Sequence, residues 1–415
     1  MLDIKFIKEN LELVEKNNKS RNVKVDLKKL LDLDARRKTL QAETESLRNE
    51  RKKISKTKPT DVEIIEMRKL GDKLQQMEDQ LRPLENQISE ILWQIPNLNH
   101  AGTPIGKNET ENKVMETVGE IPEFSFEAKQ HFEVASAKEL IDCEAGAKVS
   151  GSRFYYLKGK LALLERAIME YGLQKAIKRG FELILPPILV HERAMFGTGF
   201  FPADKNEIYK VNPGEDDLYL IGTAEVPLVT MHDGHIFHKK DLPKKYCAIT
   251  PCFRREAGSY GRDQSGILRV HQFYKVEMVV FSEPEKSSEM HEEILSIEKE
   301  LFNDFGLPYQ VVNICSGDLG WPAAKKYDLE AWLPGQKKYR EMTSTSNTTD
   351  FQSRRLNIKY KNSTDGKESN VLIHTLNGTM VTDRAMIAII ENYQQKDGHI
   401  AIPKVLQKLT GFDKI

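Results

Sequence analysis

The sequence contains few cysteines and no long apolar segment, and each absence argues against a class of protein. No pair of its cysteines has Cys-x-x-Cys spacing, which argues against a disulfide framework or a thiolate zinc site; the four are Cys143, Cys247, Cys252 and Cys315. No apolar run approaches the roughly 18 residues of a membrane span. The opening stretch, MLDIKFIKEN, has neither an apolar signal core nor a transit pattern. We therefore expect a reduced, cytoplasmic protein with no membrane partner.

The sequence also lacks an excess of charge of either sign. Lysine plus arginine and aspartate plus glutamate each number 62, so the net charge is zero. Global charge therefore gives no indication about nucleic acid, and only local patches can do so. Hydrophobic residues make up 39% of the 415 residues, which is enough for a large core and for two or three domains.

Two apolar runs, Tyr246–Phe253 and Val270–Phe281, flank a polar segment that contains Gly258, Gly261 and Gly266. This pattern predicts a long antiparallel hairpin. Because side chains alternate along a strand, one face of the returning strand carries a row of polar and aromatic groups. That row is His271, Phe273, Lys275 and Glu277.

Arg254 and Glu256 share a face at the end of the incoming strand. A ring, cations and carboxylates on one surface suit a ligand with a flat base, an anionic phosphate and an amine. From the hairpin alone, a solvated face of an ordinary hairpin is an equally good interpretation.

Residues 27–95 predict a helical hairpin. Leu33, Leu40, Leu47 and Ile54 recur every seven residues on the first arm, and apolar residues alternate spacings of three and four on the second. The turn is expected near residues 56–60, where Pro59 ends one helix and Thr60 or Asp61 caps the next.

The distal part of this hairpin is basic, with one acid, Glu50, among its cations. Clustered cations support contact with a phosphate backbone, although a solvated coiled-coil surface is the alternative. The candidate nucleic-acid-binding residues are Arg48, Arg51, Lys52, Lys53, Lys56 and Lys58.

A polar stretch with Gly102, Pro104 and Gly106 predicts a linker, which gives domains at 1–100 and 114–415 with residues 101–113 between them. Residues 371–377 predict an apolar strand, followed by a buried helix from about Thr382 to Asn392. Arg384 lies in the first turn of that helix. The amino end of a helix together with an arginine can bind a polyphosphate. The alternative interpretation is that Arg384 forms an ordinary ion pair with a nearby carboxylate.

Five motifs in order resemble those of seryl-tRNA synthetases, which are class II aminoacyl-tRNA synthetases. They are GFELILPP (180–187), GTAEVPL (222–228), FRREAGSYGRD…LRVHQFYKVE (253–277), REMTSTSNTTDFQSRR (340–355) and TLNGTMVTDRAMIAIIENYQ (375–394). The basic helical hairpin resembles the tRNA-binding arm of this family. The resemblance covers essentially the whole chain and implies an α+β fold. That fold has an amino-terminal antiparallel coiled-coil arm and a catalytic domain with a mainly antiparallel sheet flanked by helices.

The resemblance also implies residue roles. Catalysis is assigned to Arg254, Glu277 and Arg384. Serine binding is assigned to Thr223, Ala224, Glu225, Glu277 and Thr379. ATP binding is assigned to Arg254, Arg255, Glu256, Val270, Phe273, Glu341, Met342, Thr343, Ser344 and Arg384. Magnesium is expected on Glu341 and Ser344.

The activity implied is serine activation with ATP, followed by transfer of the seryl group to tRNA(Ser), and the family extends this to tRNA(Sec). The first motif implies a homodimer. Two alternatives stay open at this point. One is a paralogue that activates an amino acid for a carrier protein, which the retained arm argues against. The other is a non-catalytic RNA-binding homologue, which the intact Arg254, Glu277, Glu341 and Arg384 argue against.

Overall fold

The computed structural model describes residues 2–55, 60–257, 266–364 and 367–415, except for the side chains of Thr364 and Lys367. These residues form two compact units, Met1–Pro96 and Asn97–Ile415. Outside the described residues lie some positions used above, namely Lys56, Lys58, Pro59, Gly258 and Gly261.

The helices are α1 (Ile4–Glu9), α2 (Leu11–Ser20), α3 (Leu27–Ile54), α4 (Asp61–Trp93), α5 (His131–Ser136), α6 (Cys143–Ser150), α7 (Gly159–Lys178), α8 (Glu192–Thr198), α9 (Glu225–Thr230), α10 (Ser287–Phe305), α11 (Phe351–Leu356), α12 (Arg384–Asn392) and α13 (Lys404–Thr410). The strands are β1 (Lys113–Val118), β2 (Ile141–Asp142), β3 (Tyr156–Leu157), β4 (Glu182–Leu183), β5 (Leu189–His191), β6 (Lys210–Val211), β7 (Leu218–Leu220), β8 (Ile236–His238), β9 (Lys244–Phe253), β10 (Gln272–Ser282), β11 (Tyr309–Asn313), β12 (Lys325–Leu333), β13 (Lys338–Thr349), β14 (Lys359–Thr364), β15 (Lys367–Leu372) and β16 (His374–Thr382). None of these helices is long and apolar enough to cross a lipid bilayer.

The first unit contains the predicted helical hairpin. Helix α4 begins with a capping box in which Thr60 and Glu63 exchange hydrogen bonds, and it continues through Pro83. Arg48 on α3 pairs with Glu78 on α4 at 2.7 Å, and Gln41, seven residues earlier on α3, donates to Glu85, seven residues later on α4, at 3.5 Å. The two arms therefore run antiparallel. The seam is buried at Leu33, Thr44, Leu74, Met77, Leu84 and Ile88, which confirms the predicted coiled coil.

The second unit is built on a sheet whose described strands follow the order β1-β11-β12-β13-β16-β10-β9-β4. All of these described neighbours are antiparallel except β4 and β9, so the predicted mainly antiparallel sheet is confirmed. Helix α10 packs closely on β16 because Gly378 has no side chain. A Cβ there would lie 2.2 Å from Ile294 Cγ2, and such an overlap would force the helix away from the sheet.

The predicted hairpin is formed by β9 and β10, with Gln272 opposite Phe253. The predicted buried helix is α12, which begins at Arg384 rather than Thr382, and its residues 385–390 are at most 1% exposed. Asp383 is the N-cap residue of this helix, but its side chain makes no capping hydrogen bond. Its carboxylate instead accepts hydrogen bonds from the Tyr274 N–H (2.8 Å) and the Tyr155 hydroxyl (2.6 Å).

The prediction of a single strand over residues 371–377 is wrong. Strand β15 ends at Leu372 in a small sheet with β14, and β16 begins at His374 in the large sheet. Ile373, between them, is fully buried in the core beneath the small sheet. The chain changes sheets at this residue, and an apolar run does not reveal such a change.

The segment predicted as a linker packs against the second unit. Thr103 Oγ1, within this segment, donates to Ala324 O at 2.8 Å, and Asn97 Nδ2, just before it, donates to Thr348 O at 2.7 Å. Further along, Gly317 N donates to Gly106 O at 2.9 Å. The boundary between the units therefore falls between Pro96 and Asn97, before the predicted linker.

Candidate active site

A cleft opens where β9 ends, beside β10, β13, β16 and the start of α12. It brings together most of the predicted site residues, namely Thr223, Glu225, Arg254, Glu256, Val270, Phe273, Glu277, Glu341, Met342, Thr343, Ser344, Thr379 and Arg384. Two predicted residues do not line it. Ala224 is fully buried in the core, and Arg255 is exposed, with its backbone N–H donating to Glu207 O at 2.8 Å.

Two predicted site residues on β13, Glu341 and Ser344, share the cleft because of a β-bulge. Opposite β12, the register passes from Leu329 with Thr343 to Glu330 with Glu341, which leaves Met342 as an extra residue. A bulge shifts the alternation of side chains by one position. Glu341 and Ser344 therefore lie on one face although they are three residues apart.

A second bulge has the same effect on β16. Thr379 pairs with Glu277, and Val381 pairs with Val276, so Met380 is the extra residue. Thr379 and Thr382, three residues apart, consequently both line the cleft. This bulge precedes Arg384 and brings the end of the strand to the cleft wall.

At the inner end of the cleft lie two buried carboxylates. Glu225, at the start of α9, is 7% exposed, and Glu277 on β10 is 1% exposed. A buried cation accompanies them: Lys275 Nζ lies 2.5 Å from Glu277 Oε2 and donates to Thr223 Oγ1 at 2.8 Å. A carboxylate buried this deeply needs such a partner. The arrangement offers negative charge and hydrogen-bond acceptors to a small ligand.

The electrostatics of Glu225 follow from its surroundings. Burial, and then repulsion from Glu277, raise its pKa to about 7. The opposing influences are a hydrogen bond from Gln352 Nε2 (2.7 Å to Oε1) and the charges of Lys275 and Arg254. At neutral pH the carboxyl therefore lies near its titration midpoint, and an arriving cation favours its ionised form.

The middle of the cleft combines a cation with an aromatic ring. The Arg254 guanidinium lies 5.3 Å from the Phe273 ring centroid, and Arg254 Nε donates to Gly222 O at 3.3 Å. Glu256 adopts a left-handed backbone conformation (φ 50°) and pairs with Arg269 at 3.3 Å. This part of the cleft can hold a flat ring and an adjacent anion.

The outer end of the cleft is lined by Arg384, Glu341 and Lys326. Arg384 Nη1 donates to Glu341 O at 3.0 Å and lies 3.4 Å from Glu341 Oε2. Partial desolvation raises the pKa of Glu341, but the charges of Arg384, Lys326 and Arg254 outweigh it and lower the pKa to about 2. Glu341 is therefore ionised at neutral pH beside a pair of cations.

The residues at this end fit a magnesium ion that takes most of its ligands from phosphate and water oxygens. Glu341 supplies an ionised carboxylate and Ser344 a hydroxyl, both hard oxygen donors. No group of three or more His, Cys, Asp or Glu side chains in the described chain is placed to hold a metal. Magnesium typically takes one or two protein ligands and completes its shell with phosphate and water oxygens, which matches this donor set.

Some residues in or behind the cleft were not singled out from the sequence. Lys326, Asn377 and Asp383 line it, and Gln352 lies behind it, where its amide donates to Glu225. Gln352 and Asn377 lie inside the motifs quoted above, but a motif match does not say which polar residue points inward. Lys326 belongs to β12, whose alternation gives Lys326 and Asp328 one face. That alternation is a usable signal. The side-chain direction of Gln352 on a short helix has no comparable signal.

Comparison with known proteins agrees with this geometry. The tRNA synthetase class II core domain (G, H, P, S and T) matches residues 209–393, and the seryl-tRNA synthetase N-terminal domain matches residues 1–99. The serine–tRNA ligase of Treponema denticola is 44% identical over 426 residues, covering 100% of both chains. The chain belongs to the seryl-tRNA synthetase family.

Solved structures of seryl-tRNA synthetases have the same fold. The Pyrococcus horikoshii enzyme complexed with ATP has a TM-score of 0.90 at 41% identity and covers 100% of this chain and 99% of its own. The cytoplasmic Naegleria fowleri enzyme in complex with AMP has a TM-score of 0.86 at 32% identity, covering 100% and 98%. The predicted family and the predicted fold, a class II core with a helical arm, are thus confirmed.

Proposed function

We propose that the protein is a serine–tRNA ligase. It activates L-serine with ATP to give seryl-adenylate and pyrophosphate, and it then transfers the seryl group to the 3′ end of tRNA(Ser). Two buried carboxylates, Glu225 and Glu277, in one cleft with Arg254 and Arg384 support this activity most directly. That combination provides for an ammonium group at one end and for phosphates at the other.

In the first step, a serine carboxylate oxygen attacks the α-phosphorus of ATP, and the bond to the β-phosphate oxygen breaks to release pyrophosphate. Two anions must meet, so positioned cations are required and a protein nucleophile is not. We assign Arg254 to the α-phosphate and the serine carboxylate, and Arg384 to the γ-phosphate. Magnesium bound by Glu341 and Ser344 would neutralise phosphate charge. In the second step, a ribose hydroxyl of tRNA displaces AMP.

Serine recognition is assigned to the inner end of the cleft. Glu225 and Glu277 surround the ammonium and the hydroxyl of serine, and Thr223 and Thr379 lie beside them. A buried acceptor left unpaired by alanine rejects that amino acid more strongly than an apolar pocket can. Lys275 already neutralises part of the carboxylate charge, so the pocket remains stable when empty.

The nucleotide is assigned to the middle of the cleft. Phe273 packs on the adenine ring, Glu256 lies at the adenine end, and Val270 and residues 341–344 line the site. The Arg254 guanidinium, which lies over Phe273, is within reach of an α-phosphate attached to that nucleoside. Arg255 is exposed and does not line the cleft, so its predicted contact with ATP requires a movement of this side chain toward the nucleotide.

We predict that Glu277→Gln raises the serine KM by roughly ten-fold to a hundred and fifty-fold, because one charge-assisted hydrogen bond worth about 1.5–3 kcal/mol is lost. The ATP KM should stay the same, since the nucleotide is assigned to the middle and outer parts of the cleft. Glu225→Ala should weaken discrimination against alanine, and Arg384→Ala should raise the ATP KM and spare serine. The measurement is pyrophosphate exchange with ATP and serine titrated separately.

Exposed Glu289→Gln on α10 is the matched control for these variants, and its parameters should equal those of the wild type. If Glu277→Gln changes the ATP parameters alone, the assignment of the inner cleft to serine is wrong.

The arm is assigned to tRNA. Arg48, Arg51, Lys52 and Lys53 are exposed near the end of α3, although Arg48 is paired with Glu78, and the predicted contacts of Lys56 and Lys58 lie outside the described residues. Cations along one helix end can neutralise phosphates, and each neutralised phosphate makes binding more sensitive to salt. We extend the proposal to tRNA(Sec) as a second substrate. A charging assay with transcripts of tRNA(Ser) and tRNA(Sec) would test this extension.

Deletion of residues 35–90 should leave serine activation intact and abolish tRNA charging, because the cleft belongs to the other unit. Reversal of Arg51, Lys52 and Lys53 to glutamate should weaken tRNA binding and flatten its salt dependence. The control, Arg51→Lys, Lys52→Arg and Lys53→Arg, keeps the charge and should bind normally. Undiminished charging by the deletion variant would contradict the role of the arm.

We also propose a two-fold homodimer working in the cytoplasm. The motif that implies the interface, residues 180–187, contains β4 and follows α7. Apolar side chains are exposed on α7 (Leu163 and Ile177) and in the motif (Leu183 and Leu185). An isologous contact would bury these side chains against a second copy.

Sedimentation at the concentration used for assay should give the dimer mass for the wild type. Leu185→Asp should shift the equilibrium toward monomer, whereas Met231→Asp, at an exposed apolar residue outside this motif, should not. A fully active monomer of the wild type would overturn the proposed assembly.

A further inference from the structure

A buried hydrogen-bond network lies behind Glu225. Gln352 on α11 is 1% exposed, and its Nε2 donates to Glu225 Oε1 at 2.7 Å and to Thr198 O at 3.0 Å. Both amide hydrogens are therefore directed at acceptors, one of which is a predicted serine-binding carboxylate.

The orientation of this amide is fixed by its neighbours. Gln352 Oε1 accepts from Thr375 Oγ1 at 2.8 Å, and Thr348 Oγ1 lies 3.5 Å from the same oxygen. A reversed amide would place its carbonyl oxygen against the Glu225 carboxylate and the Thr198 carbonyl, which are acceptors themselves. Thr348 Oγ1 also donates to Thr375 O at 2.7 Å, which ties the network to the backbone of β16.

We infer that Gln352 is a positioning residue for amino-acid selection: its amide holds the Glu225 carboxylate in place and keeps it in the form that pairs with the substrate ammonium. This inference rests on the proposed serine-binding role of Glu225. Gln352 itself does not line the cleft, so it acts through Glu225 and not by touching the substrate.

The charged groups that face Glu225 make the hydrogen bond from Gln352 important for the protonation state of this carboxyl. Glu277 and Lys275 face it from β10, and Arg254 faces it from the end of β9. Burial and Glu277 raise the pKa of Glu225, and the amide of Gln352 opposes them by donating to the ionised form. Loss of that donor raises the pKa further, so less carboxylate is present at pH 7. The defect then shrinks as the pH rises through the new pKa.

The test uses Gln352→Met, which has a similar length but no donor, in the full-length protein. We expect the serine KM at pH 7 to rise about ten-fold, the loss expected for a hydrogen bond to a charged group, with the ATP KM unchanged. The pH profile of the serine KM should move toward alkaline values, and discrimination against alanine should fall. The control is the exposed Glu289→Gln on α10, which lies outside this network and should leave the profile in place.

Equal increases of the serine and ATP KM values with an unmoved pH profile would show a merely structural role and overturn the inference. If Gln352→Met does not fold, Gln352→Asn carries the test, since it shortens the side chain and withdraws the amide from Glu225 with the same expected shift. Wild-type exchange activity separates the two claims. If the wild type catalyses serine-dependent exchange but the pH profile of Gln352→Met is not shifted, this inference alone is rejected. If the wild type shows no serine-dependent exchange, the proposed function itself is rejected.

Discussion

Repulsion between two carboxylates is the constraint on which the rest of this site depends. Glu225 and Glu277 lie on different elements, α9 and β10, and both are almost completely buried in one cleft. Buried like charges are unfavourable unless a cation or a hydrogen-bond donor accompanies each of them. Lys275 forms an ion pair with Glu277, and Gln352 donates a hydrogen bond to Glu225. The remaining demand for positive charge is what makes the pocket suitable for an ammonium ligand.

The sheet places this pocket in the same cleft as Arg254 and Arg384. Strand β10 carries Phe273, Lys275 and Glu277 by simple alternation, because the bulges occur on other strands. Extra residues at Met342 and Met380 turn the side chains of β13 and β16 to the same cleft. Glu277 thus lies on a strand, Glu225 and Arg384 begin helices, and Arg254 directly follows β9. Regular elements fix the positions of the groups that the proposed reaction needs to orient.

The parts of this structure that follow from local periodicity could be predicted from the sequence. The seven-residue repeat predicted the α3–α4 coiled coil, and period-two alternation predicted the cleft-facing row on β10. The change of sheet at Ile373 could not be predicted in this way, because it depends on tertiary pairing. The bulges at Met342 and Met380 could not be predicted either, since a β-bulge adds a residue without a distinctive sequence signal. The contact between Gln352 and Glu225 joins residues 127 positions apart, and no local pattern encodes it.

The central claim, that the substrate ammonium neutralises Glu225, can be tested by the protons exchanged on binding. With a pKa of about 7, Glu225 is close to half protonated at pH 7. Calorimetric titration of L-serine into the protein saturated with α,β-methylene ATP, in two buffers of different ionisation enthalpy, measures this exchange. We expect roughly half a proton to be released per site by the wild type and almost none by Glu225→Gln. A binding enthalpy of the wild type that is independent of the buffer would contradict the account.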